Sequence, residues 1–557
     1  VRRPEGAGRN EEKDTMGIER TRLRWNGWGW IDAPDVLGDK AAAVWDWMGK
    51  TMGLDPLPNT PPTPLDGIAL PEIRISGAVQ DALTRMLDRQ RVKTDAFERG
   101  LHARGRSYHD ALWLRAGRIA SAPDAVVYPE TAEETLAVLE LAAEHNVAIV
   151  PFGGGSSVVG GVTAECAPGQ AGVITVDTTR MDKVIEVDRH ALVARVQAGI
   201  YGPALEKALQ SEGVTLGHYP QSFEFSTLGG WIAPRSAGHQ SNKYGTAEQW
   251  LVSARLATLQ GLWSTEGFPG SAAGPQLRDV VAGSEGTLGI ITDAEIKIHP
   301  VPEVKDYRGF VFPDFEQAVE ALRELMQSGV PNAMVRLSDK SETFFLNAVD
   351  TGGGGEGPAQ FCLMLVGIEG DKTTVEYGLA RTKDILKARG GIHMGESLGE
   401  HWYKGRFETP YLRDPMMDRG VGVDTLETCA RWSNVLAVQQ AGVTAIVNAL
   451  SANAAASGAR GIVMSHLSHS YVDGSSLYFT FAFPRALDRE VDQWLAVKRA
   501  ASDAIVSAGG TISHHHGVGT DHLPWLAPEK GPVGMTALRA IKRQLDPAGI
   551  LNPGKLL

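Results

Sequence analysis

The stretch Pro151-Phe152-Gly153-Gly154-Gly155-Ser156-Ser157, continuing through Val158-Val159 to Gly160-Gly161, decides the fold. Consecutive glycines let successive backbone N–H groups turn toward one anion, because no Cβ blocks positive φ or close approach. Such a loop cradles a pyrophosphate. It is not the Rossmann fingerprint, since the spacing is not GxGxxG opening a helix and no acidic ribose-binding residue follows at the usual distance. It is not Walker A either, having no Lys-Ser/Thr pair. Upstream, Val126-Val127-Tyr128-Pro129 predicts a strand. Thr131-Ala132-Glu133-Glu134 is a capping box opening a helix with Leu136, Leu139 and Ala143 on one face, and Val147-Ala148-Ile149-Val150 is a second strand running into the glycines. Strand, helix, strand and glycine loop in that order make a nucleotide-binding α/β unit.

Working outward, further strands are expected at 172–176, 183–187 and 192–197, with a helix at 202–211. The region to about Pro300 closes on Gly283-Ser284-Glu285-Gly286-Thr287-Leu288-Gly289, a glycine-punctuated turn entering a strand. Beyond Pro302 the texture alternates: strands at 307–312, 333–337 and 360–367, helices at 315–328 and 372–388, which suggests a separate α+β domain. The run Gly352 to Gly355 inside it is a surface loop, with no helix start or Lys-Ser/Thr pair after it. Before the glycine unit, three tryptophans in Leu23 to Trp30 form a packed hook, Asn59 to Pro64 an extended linker and 81–119 a polar helical stretch. The tail holds a strand-like Thr511 to Ser513, a histidine run and a helix at 535–545. The expected division is a disordered extension over 1–22, a helical N-terminal region over 23–120, a nucleotide-binding domain over 121–302, a cap over 303–508 and a C-terminal segment over 509–557.

Composition narrows the function classes. With 43% hydrophobic and 22% charged residues the 557-residue chain is globular. Its 54 basic and 66 acidic side chains, a net charge of −12, argue against a nucleic-acid partner, which would need a basic face. Three scattered cysteines in no CxxC or CxxH spacing indicate neither a disulfide framework nor a zinc ribbon, and fit a reducing, cytoplasmic setting. No run of 18 apolar residues predicts a membrane span, and no apolar h-region predicts a leader. The 64 glycines exceed the usual ~7% without any G-X-Y period, so backbone freedom is needed at many separate places.

The histidine run Ser513-His514-His515-His516-Gly517-Val518-Gly519 is read first from its own geometry. If it is extended, His514 and His516 face one way and His515 the other, so the three imidazoles do not converge on a metal. A metal built together with Ser465-His466-Leu467-Ser468-His469 is the minor alternative, and no metal is expected. In Leu477-Tyr478-Phe479-Thr480-Phe481-Ala482-Phe483 the alternation puts Tyr478 and Thr480 on one strand face, where a tyrosine is ordinarily half-buried packing. Arg413, in Tyr411-Leu412-Arg413-Asp414, reads on its own as half of a surface salt bridge with Asp414.

Together these stretches, with Arg24-Trp25-Asn26-Gly27-Trp28-Gly29 and Ser222-Phe223-Glu224-Phe225-Ser226-Thr227-Leu228-Gly229-Gly230-Trp231, resemble the vanillyl-alcohol-oxidase type of FAD-binding fold. This is the superfamily with a p-cresol-methylhydroxylase-like flavin domain. Within it they are similar to the alkyldihydroxyacetonephosphate synthase family, from about Leu23 to Leu557 and in the family's order. The fold class implied is α+β: a two-part FAD-binding domain, an α+β cap and a helical N-terminal region. The resemblance implies non-covalent FAD held by Pro151, Phe152, Gly153, Gly154, Gly155, Ser156 and Ser157, by Gln221, Ser222, Ser226 and Thr227, and by Pro234, Arg235, Ser236 and Ala237. It implies a last FAD segment of Gly283, Ser284, Glu285, Gly286, Thr287, Leu288 and Gly289. Arg235 is expected to bring positive charge to the cofactor. The resemblance makes His514, His515 and His516 an active-site element that moves protons and meets phosphate, and Tyr478 the acid/base at the substrate's C1. It sets Arg413 beside the flavin and the departing carboxylate. A phenol with an ordinary pKa of about 10 needs help to act as a base, and an adjacent imidazolium or arginine is the expected source.

The activity implied is exchange of the acyl chain of acyl-dihydroxyacetone phosphate for a fatty alcohol, which forms the ether bond of ether lipids. Lipid substrates, a homodimer and peripheral membrane contact go with it. The sequence departs from the family at Pro234, where a hydroxyl residue is usual, and at Gly270, where the family has an activity-relevant arginine. The second departure puts phosphate recognition in question, with Arg278 the candidate substitute. The rival is an FAD-linked 2-hydroxyacid dehydrogenase of the D-lactate or glycolate kind. Those enzymes carry His-x-x-x-Gly-Asp-Gly-Asn-x-His and Glu-His-Gly-Ile-Gly, where this chain reads His469 to Tyr478 and His514 to Gly519; both differences favour the synthase reading.

Overall fold

The computed structural model describes residues 18–353 and 360–557. The nucleotide-binding unit forms as its sequence predicts, with strand Ala125–Val127, helix Ala132–Glu144 and strand Ala148–Phe152. Thr131 caps the helix, its hydroxyl accepting from the Glu134 N–H at 3.0 Å, and the helix buries Val138, Leu139 and Ala142. Ala125–Val127 and Ala148–Phe152 both run parallel to Val173–Asp177 between them. The glycine loop therefore leaves the carboxyl end of a parallel strand, where open α/β sheets bind ligands.

A second, antiparallel sheet of five strands follows in the order Val184–Asp188, Val193–Gln197, Ile290–Lys297, Leu251–Thr258, Gly261–Ser264. Helices Gly202–Ser211 and Leu228–Ile232 bury Leu205, Leu209, Leu228 and Trp231 into its core. The cap is a seven-stranded sheet in the order Ile392–Gly395, Val304–Phe312, Cys362–Gly370, Met334–Ser338, Ile462–Ser470, Gly474–Pro484, Val421–Arg431. In Gly474–Pro484 the period of two divides labour: Leu477, Phe479, Phe481 and Phe483 enter the cap core, while Tyr478, Thr480 and Ala482 face a cavity. Helix Val435–Ala452 has an apolar window of mean hydropathy 1.4, long enough to cross a membrane, yet it lies on this sheet. There a Cβ on Gly442 would stand 2.6 Å from the Phe479 ring.

Several boundaries differ from expectation. The extension reaches less far than residue 22, because Arg20 is locked in place, 2.5 Å from the buried Asp177 carboxylate and donating to Tyr128 Oη at 3.0 Å. Residues 1–17 of that extension lie outside the described residues, as do Gly354 and Gly355 of the glycine loop. The N-terminal region is not purely helical, since Val92–Lys93 adds a strand antiparallel to Ala125–Val127. The last helix begins earlier, at Leu523, and kinks at Gly531 (φ 68°) between Pro528 and Pro532. The tryptophan hook is packed as predicted: Trp28 and Trp30 stand edge-on to Phe225 at 5.5 and 5.3 Å, and the Trp28 backbone N–H donates to Asp414 at 2.7 Å. It joins the cofactor domain to the cap.

Arg20→Ala leaves the buried Asp177 without its arginine, a change expected to cost about 3–5 kcal/mol. Chemical denaturation of the two proteins side by side measures it.

Candidate active site

A continuous cavity of about 1170 Å³ joins the cofactor domain to the cap. All seven residues from Pro151 to Ser157 line it, as do Gln221, Ser222, Ser226, Thr227, Pro234, Ser236, Ala237, Glu285, Gly286 and Gly289. The close approach is greatest at Gly154, where a Cβ would sit 1.8 Å from the Phe225 carbonyl oxygen, so the loop and the Gln221–Thr227 turn meet backbone to backbone. Buried Asn552 Oδ1 and His239 Nδ1 also line the space with no partner among the described residues. Open hydrogen-bonding capacity above a glycine cradle fits a large polar cofactor such as FAD.

Part of the expected cofactor set turns elsewhere. Arg235, at φ 62°, is exposed and spends its guanidinium on the carbonyls of Ala282 (2.9 Å) and Asp279 (2.8 Å), so it brings no charge to the cavity. Gly283, Ser284, Thr287 and Leu288 support the turn from behind and do not line the space. Gly270 is on an exposed loop with nothing within 4 Å of a built Cβ. Arg278 pairs with its own surroundings through the Val252 carbonyl, so neither position reaches the cavity and Arg278 is no substitute within it.

The histidine run is not extended, and this is the largest correction. It curls around the buried carboxylate of Glu427, on the cap strand paired with Tyr478. Glu427 accepts from Ser513 Oγ at 2.6 Å and from the backbone N–H groups of His514, His515 and His516 at 2.6, 3.3 and 3.1 Å. The rings consequently gather, with centroids 5.1 Å apart for His514 and His515 and 4.4 Å for His515 and His516. Ligand atoms of Glu427, His514 and His515 come within 4.8 Å of one another. Both carboxylate oxygens, however, are taken by N–H and O–H donors, so the arrangement is a hydrogen-bonded nest for a carboxylate. Burial opposes the charge of Glu427, but the facing imidazoles and Ser513 hold its carboxyl well below the usual range. Burial, against the attraction of Glu427, pushes His514 and His515 down to about 3 and His516 down to about 4.

Tyr478 lies flat on His466, ring centroids 5.0 Å apart and 19° between planes, with His516 at 5.6 Å and His515 at 6.1 Å. Burial pushes its phenol up to about 12, against smaller opposing effects from Thr425 and Arg336. The expected imidazolium neighbour is therefore absent: the rings beside Tyr478 are neutral. Arg413 does not pair with Asp414, which instead takes the Trp28 N–H. Its Nη1 donates to the Arg106 carbonyl at 2.5 Å, while Nε and Nη2 are buried without partners among the described residues, and the side chain lines the cavity. Arg106, which no sequence pattern marks, stands beside it. Burial, then the Arg413 charge, pulls Arg106 down to about 10. Also unmarked are Arg336 and Glu342, which hold His466 at 3.1 and 2.9 Å; all three line the cavity. The one available signal was the pair of acids Asp424 and Glu427 in an otherwise uncharged stretch, Val421 to Ala430.

A glycine cradle on a parallel strand, an antiparallel partner sheet and a cap that closes the cavity define an FAD-binding enzyme fold of two domains and a cap. Residues 123–265 match the family described as FAD binding domain, and 301–556 that described as FAD linked oxidases, C-terminal domain. The chain is 33% identical to alkyldihydroxyacetonephosphate synthase of Dictyostelium discoideum over 96% of this chain and 93% of that one. It is 32% identical to the enzyme of that name from Trypanosoma brucei brucei over 86% and 80%. A solved alkyldihydroxyacetonephosphate synthase structure superposes with a TM-score of 0.80 at 30% identity, covering 99% of this chain and 100% of that one. The chain belongs to the alkyldihydroxyacetonephosphate synthase family of FAD-binding enzymes.

Gly154→Ala is expected to yield folded protein without flavin, seen as loss of visible absorbance at unchanged far-UV circular dichroism. The imidazoles titrate lower folded than their ordinary value near 6.5. Below that value the unfolded chain binds protons that the folded one refuses, so stability is complete above about pH 6.5 and falls as pH drops toward 4. Thermal unfolding between pH 7.5 and 4.5 measures this, and replacing all three histidines with glutamine flattens the slope.

Proposed function

We propose that this chain exchanges the acyl chain of acyl-dihydroxyacetone phosphate for a long-chain alcohol, releasing a fatty acid and leaving an ether bond. The observation that carries the reading is the continuity of the cavity. The glycine cradle, the Tyr478 phenol, the His515 and His516 rings and Arg413 line the same space as an apolar branch of Leu37, Phe345, Val349, Met416 and Met464. An apolar branch suits alkyl chains, each buried CH₂ contributing about 0.8 kcal/mol. Two unpartnered guanidinium donors suit a departing carboxylate.

The exchange balances without redox. The ester's C1–O bond breaks with its electron pair on the carboxylate, a C1–O bond forms to the alcohol oxygen, the alcohol proton is released, and C1 loses and regains one proton. Bound on the cradle, FAD supplies an electrophilic ring able to take and give back a carbon centre. We assign the C1 proton to Tyr478. A phenol held near 12 keeps its own proton at neutral pH, so it removes the C1 proton only as its own passes on. Neutral imidazoles stand beside it, His516 with its ring 5.6 Å away and His515 with its ring 6.1 Å away, and acceptance of that proton falls to this pair's free ring nitrogen. Arg413 orients the carboxylate end of the leaving chain. We extend the proposal to a cytoplasmic homodimer in peripheral contact with a membrane surface, from which two-chain traffic is supplied.

Incubation with acyl-dihydroxyacetone phosphate and a labelled fatty alcohol is expected to give labelled alkyl product and free fatty acid in equal amounts by mass analysis. Bleaching of the flavin by D-lactate or glycolate, with no alkyl product, would overturn the reading in favour of a dehydrogenase. Tyr478→Phe should lower kcat at least ~100-fold with FAD retained.

A further inference from the structure

Behind the cavity, on the side away from the substrate space, the histidine run makes a contact that the activity does not require of it. Tyr471 Oη lies 2.5 Å from His514 Nε2, and His514 Nδ1 lies 2.9 Å from His515 Nδ1. Tyr471 and His514 do not line the cavity; His515 does. The chain Tyr471–His514–His515 thus runs from outside the site to its wall. Its frame is rigid. Tyr471 opens the short hairpin between strands Ile462–Ser470 and Gly474–Pro484, its N–H donating to the Gly474 carbonyl at 2.8 Å and its carbonyl accepting from Trp432 Nε1 at 3.2 Å. The histidine backbone is pinned on Glu427.

A hydrogen bond between two Nδ1 atoms needs one proton and only one. Both rings are neutral, so each carries a single N–H. If the Tyr471 hydroxyl donates to His514 Nε2, the His514 proton sits on Nδ1 and is given to His515 Nδ1, and His515 carries its own proton on Nε2. The reverse order leaves the phenolic hydrogen with no acceptor among the described residues and strips His515 Nε2 bare. A phenol is the stronger donor of the two, and the first order satisfies the Tyr471 hydroxyl, both His514 nitrogens and His515 Nδ1, leaving only the His515 Nε2–H without a partner among the described residues. The other groups facing these rings do not compete. His469 stacks on His514 at 5.5 Å and stands edge-on to His515 at 5.0 Å, its Nδ1 engaged by Ser241 Oγ at 2.8 Å. His516 and Tyr478 face His515 by their rings. Glu427 Oε2 stands 3.5 Å from His515 Nδ1, too far for a bond, and is occupied by the His514 N–H.

We infer that Tyr471 is a positioning residue: through His514 it fixes the tautomer of His515, so that His515 presents an Nε2–H donor, not a bare nitrogen, to an anionic oxygen of the substrate. The inference rests on the proposed transfer for its consequence, but the tautomer is a property of the protein alone. In that reaction the oxygen is one of the phosphate or of the departing carboxylate. Together with Arg413 it would be met by donors only. Proton acceptance then falls to His516, the other neutral ring beside Tyr478.

Histidine ¹⁵N NMR of the FAD-loaded enzyme, with His515 assigned by difference against His515→Gln, tests the tautomer directly. The expected spectrum shows His515 protonated at Nε2 and bare at Nδ1, and Tyr471→Phe, which keeps the ring and removes the hydroxyl, turns it into a mixture of tautomers. Alkyl transfer by Tyr471→Phe is expected to fall at least ~10-fold in kcat with FAD absorbance and thermal midpoint retained. A wild-type His515 protonated at Nδ1, or a tautomer and pH–rate profile untouched by Tyr471→Phe, would overturn the inference. Should the tautomer change as expected while the wild type transfers no alkyl group, the proposed function fails and the assignment of Tyr471 stands.

Discussion

The Glu427 carboxylate is the contact on which the site depends. Placing a charge in the cap core costs several kcal/mol, and it is tolerable only because four donors from one short segment converge on it. Bonds to a charged acceptor are worth roughly 1.5–3 kcal/mol each, so a nest of this kind offsets the burial and holds the segment in one conformation. Because three of the donors are consecutive backbone N–H groups, the chain must curl, and the side chains of His514, His515 and His516 are thrown together on one side. The same segment is tied to the other domain a turn later, where Glu285 accepts the N–H groups of Val518 and Gly519 at 2.6 and 2.7 Å. One stretch of backbone therefore fixes the cap against the cofactor turn, and the cavity is the space left between them.

What could be read from the sequence follows how local the determinants are. The strand, capped helix, strand and glycine loop each depend on neighbours within a few residues, and they form where the pattern puts them. So does the alternation of Leu477 to Phe483, which set Tyr478 and Thr480 on the cavity face. The histidine run failed for the opposite reason. Its shape is dictated by an acid on a distant strand, separated by 86 to 89 positions, and an isolated histidine run has nothing in it that announces a nest. Arg235 failed through its backbone: at φ 62° the side chain leaves the cradle and finds the carbonyls of Asp279 and Ala282. Arg106 and Arg336 were silent because a lone arginine has no spacing to recognise. The family resemblance supplied Arg413, where residue chemistry alone favoured a pairing with Asp414 that does not form.

The charges of the cavity are divided by residue type. Permanent positive charge comes from arginines, which burial does not readily neutralise, and two donors of Arg413 have no partner among the described residues. The imidazoles are kept neutral by the same burial, even with the Glu427 carboxylate beneath them. A protein that met its anionic substrate with imidazolium would lose that charge whenever a proton had to be accepted. Under the proposed transfer, recognition of anions and movement of protons fall to different groups, so one proceeds without weakening the other.

That division separates an exchange from a hydroxyacid oxidation. Oxidising a 2-hydroxyacid needs a base for the hydroxyl proton and a single small anion pocket, with no use for a long apolar branch. The cavity here continues from the cradle into Leu37, Phe345, Val349, Met416 and Met464, and a second acyl or alkyl chain is the natural occupant of such a branch. Its neutral imidazoles suit a step in which one proton leaves C1 and later returns, because a weakly basic acceptor gives the proton back. A strongly basic one would trap it.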